Sequence, residues 1–89
     1  LKMSYLDNAK RLIAERTPEP ENKIIEQVRF NSYTLLGVRN QLERLYDLDI
    51  KLSASQDSWI KQEIASCKEQ IQDLKQAIAL LQKAFLENM

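Results

Sequence analysis

The chain contains no histidine, one cysteine (Cys67) and one glycine (Gly37). Reaction chemistry asks for more. Zinc sites draw on cysteine and histidine, and nucleophilic pairs join serine or cysteine to a histidine base. Phosphate cradles need a glycine-rich loop. The pattern therefore offers no catalytic, cofactor-binding or metal site, and an enzyme is the poorest fit. Asp47 and Asp49, flanking Leu48, are the only hint of a cation site. A calcium loop needs more oxygen ligands at set spacing, usually with a glycine. The two acids read instead as helix caps in a solvated turn. Cys67 reads as a small buried hydrophobe. Its sharper alternative, a disulfide between symmetry mates, needs a parallel dimer in an oxidising compartment.

What remains is binding chemistry. Leu48, Ile50, Leu52 and Trp59 gather around the middle of the chain, where little else is available to bury them. Exposed apolar clusters mark contact sites. The alternative is that they close a hairpin end by packing on Tyr46 and Ile60. Trp59 is the strongest single anchor, because tryptophan is enriched at interface hot spots. Lys61, Lys68 and Lys75 recur every seven residues, with Arg39 on the corresponding flank of the preceding element. Lys68 and Lys75 have no acidic residue three or four positions away. The row is either a solvated face or a docking ridge for an acidic protein surface or a nucleic-acid backbone. No aromatic residue interleaves with it, which weakens a role in stacking single-stranded bases. The candidate protein-binding set is thus Trp59, Leu48, Ile50 and Leu52 as apolar anchors, with Lys61 and Lys68 as a charged rim.

Helices must position these residues. Ile60, Ile64, Cys67, Ile71, Leu74, Ile78, Leu81 and Phe85 step by four and three without an error. Ile24, Val28, Asn31, Leu35, Val38, Leu42 and Leu45 do the same, with one polar member. Such spacing puts each set on one narrow helical stripe. Asn31 either sets register or oligomeric state, as single seam asparagines can, or lies where the hairpin opens to water.

The spacing predicts an all-α chain, a single helical domain over residues 1–89. Helix one covers about 5–16, capped by Ser4, with Asp7 favouring its N-terminus and Leu6, Ala9, Leu12 and Ile13 as its apolar face. Thr17-Pro18-Glu19-Pro20 stops it. Helix two covers about 21–47 and helix three about 56–86. The short polar break between them makes antiparallel neighbours the default. A hairpin turning around Lys51 sets Leu35 across from Cys67 and Val38 across from Ile64. Extra apolar residues gather at the far end: Ile25, Phe30, Tyr33 and Leu36 on helix two, and Ala77, Leu80, Ala84 and Leu86 on helix three. Helix one docks there and covers Leu81 and Phe85. The result is a long coiled-coil-like hairpin with a short N-terminal helix on one end, a three-helix bundle with a thin two-helix arm.

Thirteen basic and thirteen acidic residues cancel, so the chain as a whole exerts no pull on nucleic acid or an anionic membrane. No apolar run approaches the ~20 residues that cross a bilayer. The N-terminus lacks the apolar core of a secretory signal, and one cysteine excludes an internal disulfide framework. A cytoplasmic location is expected. The architecture resembles the general run of small helical adaptor, assembly or inhibitor proteins, including those carried by phages and other mobile elements. That resemblance rests on no motif. The expected activity is protein binding, with self-association as a dimer through Phe30, Tyr33 and Leu36 or the hairpin tip. A nucleic-acid accessory role through the lysine ridge and a purely structural coiled-coil assembler are the alternatives.

Overall fold

The computed structural model describes residues 4–15, 20–51 and 58–87. Among them all regular structure is α-helix: α1 Tyr5–Glu15, α2 Pro20–Lys51 and α3 Ser58–Glu87. The molecule is a rod of 54 × 24 × 14 Å with a radius of gyration of 16.4 Å. A compact chain of this length would have about 12 Å. The long hairpin accounts for the excess.

α1 is too short to be stable alone. Its first turn shows what holds it. Ser4 is the predicted N-cap: its Oγ accepts the Asp7 N–H at 3.0 Å, and its backbone carbonyl accepts the Asn8 N–H at 3.0 Å. The preceding two amides, of Tyr5 and Leu6, point at α3. There the Asp73 carboxylate accepts both, at 2.7 and 3.0 Å. A carboxylate at a helix N-terminus satisfies orphan donors and complements the dipole. One side chain of α3 therefore fixes where α1 begins. On the outer surface Arg11 bonds Asn8 and Glu15, both at 2.8 Å.

α2 runs further than expected. It passes through Gly37 without interruption and continues through Asp47–Lys51, where the polar stretch suggested a break. That stretch holds neither glycine nor proline, so nothing in the backbone stops the helix. The longer helix moves the turn. With α2 ending at Lys51 and α3 opening at Ser58, the two helices are centred one half-heptad later than a turn around Lys51 requires, and every pairing shifts by one heptad. Two contacts fix the shift. The Lys68 ammonium lies 5.6 Å from the centroid of the Tyr46 ring. In the expected register Lys68 stands across from Thr34, about 18 Å along α2 from Tyr46 and beyond a lysine's reach. At the other end, Ile24, Ile25, Val28 and Arg29 share one groove with Gln82 and Phe85. Val38 is therefore level with Ile71, Leu42 with Cys67, and Leu35 with Leu74. The expected Val38–Ile64 and Leu35–Cys67 levels are corrected. Seam still meets seam, because a shift of one heptad preserves the stripe.

The core has two parts. Along the arm, Val38, Leu45, Ile60, Ile64, Cys67, Ile71 and Leu74 form one buried cluster, flanked by Leu35, Leu42 and Tyr5. At the three-helix end, Ala9, Ile24, Ala77, Leu81 and Ala84 form the second. As expected, α1 docks there, and Leu81 is fully buried. The details differ. α3 must serve two neighbours, so its buried arc widens to take in Ala77 and Ala84. Ile78 and Phe85, expected on the seam, are only half-buried. Alanine suits the α1 contact: Ala9 against Ala77 and Ala84 lets two backbones approach closely. Leu12 and Ile13 are half-buried and Ala9 is the fully buried member of α1. α1 lies chiefly along α3, so it leaves Phe30, Tyr33 and Leu36 of α2 exposed.

Asn31 is fully buried, which removes the reading that places it where the hairpin opens to water. Its Oδ1 accepts the Gln27 Nε2–H at 2.9 Å, while its Nδ2 has no partner. An unpaired buried amide costs about 1–3 kcal/mol. That cost falls on any register that buries Asn31 against an aliphatic residue, and here it stands level with Ile78. Cys67 is a free, buried thiol. Burial first, and the Glu63 carboxylate second, push its pKa up. The thiolate is the reactive form, so this cysteine packs as a hydrophobe, as expected.

Candidate protein-binding surface

The expected binding residues lie around the hairpin end, on the last turns of α2 and the first of α3. Ile50 is 81% exposed, Trp59 53% and Leu48 37%. Lys61 and Lys68 are exposed. Leu52 lies outside the described residues. Ile60, next to Trp59, is completely buried in the arm cluster. The alternative, that these residues close the hairpin end by packing on Tyr46 and Ile60, hides none of the three completely.

The structure divides them between two faces. Because α2 is helical through Lys51, Leu48 and Ile50 project about 200° apart around it. They cannot form one patch. Relative to the seam, Leu48 and Trp59 lean toward the side on which α1 docks. Ile50, Lys61 and Lys68 lean toward the other. We refer to these as the α1 face and the open face.

The α1 face is largely occupied at the three-helix end. There Arg11, Leu12 and Glu15 of α1 meet Lys23, Glu26, Gln27 and Phe30 of α2 around a polar recess. A smaller recess of Ile13, Leu80, Lys83 and Ala84 lies on the outer side of α1 and α3.

The open face is built from two rows. On α3, Lys61, Lys68, Lys75 and Gln82 recur every seven residues, so they share one side of the helix. On α2, Ile25, Arg29, Ser32, Leu36, Arg39, Glu43, Tyr46 and Ile50 alternate steps of four and three. This is a second heptad stripe, parallel to the seam. The Lys68–Tyr46 contact joins the rows at one end, worth about 0.5–1 kcal/mol at an exposed site. The groove of Ile24, Ile25, Val28, Arg29, Gln82 and Phe85 joins them at the other, with a volume of about 270 Å³. Its floor is apolar and its rim carries the Arg29 guanidinium. Sequence reasoning found the lysine row and Arg39 but missed the α2 stripe, although its four–three spacing is as regular as the seam's. Mixed polarity hid it.

No protein-family model, no curated protein and no solved structure matches the chain.

Charge is segregated although the chain is neutral. Arg29, Arg39, Lys61, Lys68 and Lys75 lie on the open face, with Glu43 as the acid in the same rows. Among the described residues none of these cations has an ion pair; Arg11–Glu15, on α1, lies away from this face. Among the described residues there is also no group of three or more side chains that could hold a metal ion, and no helix is long and apolar enough to cross a membrane.

Proposed function

We propose that this protein is a non-enzymatic protein-binding module, working as an adaptor, assembly factor or inhibitor through apolar and basic helical surfaces. One observation carries the reading. Outside the two core clusters, Tyr33 (76% exposed), Ile50 (81%), Leu86 (66%) and Phe30 (59%) stand in water. A small domain that leaves so many large apolar groups in water is built to cover them with another chain. Phe30, Tyr33 and Leu36 step by three and span the outer side of α2, away from the seam. This is the surface through which the chain self-associates as a dimer.

The test is light scattering of the purified chain, alone and after capture of partners from the expressing cells. The wild type should form a dimer that Tyr33→Glu dissociates. Trp59→Ala and Ile50→Glu should release a captured protein without changing helicity. A strictly monomeric chain that retains no specific protein would contradict the reading. If Trp59→Ala unfolds the chain, Trp59 belongs to the core and not to the binding surface.

A further inference from the structure

The two grooves between α2 and α3 are unequally used. At the three-helix end, α1 lies in one of them, with Ala9 buried against Ala77, Leu81 and Ala84. The opposite groove, between the same helices at the same level, is covered by no described helix. It has an apolar floor with Ile24 at its base and Ile25, Val28 and Phe85 half-buried. From it the lysine row of α3 and the mixed α2 row that carries Arg29 and Arg39 run along the hairpin, and these cations have no ion pair among the described residues. An apolar floor beside unneutralised cations suits an occupant that is apolar on one side and acidic on its flanks.

We propose that the open face receives an acidic amphipathic helix from the protein partner. Its apolar side chains enter the groove between Ile25, Val28 and Phe85, as those of α1 enter the opposite one. Its carboxylates meet Lys68 and Lys75 on one side and Arg29 and Arg39 on the other. Charge complementarity of this kind steers encounter and fixes orientation, and an amphipathic helix in an apolar groove is a common recognition mode. From Ile25 to Ile50 the α2 row runs about 38 Å, which accommodates seven turns of such a helix. A nucleic acid fits less well. The groove floor is apolar, and a phosphate backbone has nothing to place there. This inference rests on the protein-binding reading and assigns that surface its partner chemistry.

The test uses the full chain and designed helical peptides of about three heptads. One carries leucine at the seam positions and glutamate on both flanks; its twin carries lysine on the flanks. Titration by calorimetry, with backbone chemical shifts, reads affinity and place. The acidic peptide should bind, shift the amides of Ile25, Val28 and Phe85, and weaken with salt. The double variant Lys68→Glu, Lys75→Glu should weaken it at least about tenfold and favour the lysine-flanked twin. These lysines are exposed, so the variant should keep its helicity; Phe85→Ala, which removes part of the groove wall, is the second variant and should also weaken the acidic peptide. Equal binding of the two peptides, no binding up to about millimolar concentration, or shifts confined to Leu48 and Trp59 would each overturn the proposal. So would duplex DNA that binds the open face in preference to the acidic peptide. A captured native partner whose binding survives the lysine reversals but not Trp59→Ala would leave the protein-binding reading standing and remove this assignment.

Discussion

The arm and the three-helix end are made from the same two helices, yet they are stabilised differently. In the arm, two stripes of large aliphatic side chains meet, and burial of Val38, Leu45, Ile64 and Ile71 does the work. At the other end a third helix arrives, and small residues replace large ones at its contact: Ala9, Ala77 and Ala84. A helix of eleven residues with a small apolar contact needs a specific attachment. Asp73 supplies it through two backbone hydrogen bonds. The arm is held by area. The α1 contact is held by close approach and a cap. The difference teaches that a heptad pattern can encode a hairpin without encoding what docks on it.

The largest test of this contrast is core truncation. Leu81→Ala, at a fully buried position shared by all three helices, should cost about 2–5 kcal/mol in chemical denaturation. Leu48→Ala, on the exposed part of the arm, should fall within about 0.5 kcal/mol of the wild type. Equal losses would erase the distinction between covered and uncovered regions.

Asp73→Ala separates the two modes of attachment more finely. It leaves the amides of Tyr5 and Leu6 without their acceptor and should cost about 1–2 kcal/mol. Hydrogen exchange in α1 should accelerate, while amides around Ile64 and Ile71 keep their protection. If the whole chain loses protection together, α1 and the arm form one cooperative unit.

Gly37 tests the arm from its outer side. A methyl group there meets nothing within 4 Å, so Gly37→Ala should stabilise by about 0.5–1 kcal/mol through helix propensity and a less flexible unfolded chain. Thermal melting reads it, and a loss would show that something covers this position.

Cys67 gives the smallest effect and its sign is fixed. Burial, then Glu63, raise its folded pKa above that of the unfolded thiol. The folded state therefore holds its proton more tightly. Stability should be full below the ordinary thiol pKa of about 8.5 and decline as pH rises through the interval up to the folded value. The slope difference between wild type and Cys67→Ala isolates this group; identical pH profiles would show that the thiol reaches water.

Much of the fold was legible in the sequence. Unbroken four–three spacing from Ile60 to Leu74 gave the arm seam, and Ser4 gave the start of α1. The register was not legible, for a physical reason. A heptad stripe pairs with another equally well after a shift of one repeat, so only the turn decides. The turn depended on whether Asp47–Lys51 stayed helical. Asp73 was also hidden, since its partner lies 68 residues away and a lone aspartate in a helix carries no signal of capping another. For the binding surface, exposure of Trp59, Ile50 and the lysine row followed the sequence. Their division between two faces did not, because it follows from α2 continuing through Leu48 and Ile50.

The shifted register builds the open face, because it alone brings Gln82 and Phe85 beside Ile25 and Arg29. Disulfide trapping in a Cys67→Ala background tests it directly. The pair Val38→Cys and Ile71→Cys should close rapidly within one chain, and the pair Val38→Cys and Ile64→Cys should close slowly. A fast 38–64 bond, or a 38–71 bond that joins two chains, would contradict the hairpin and the groove it creates.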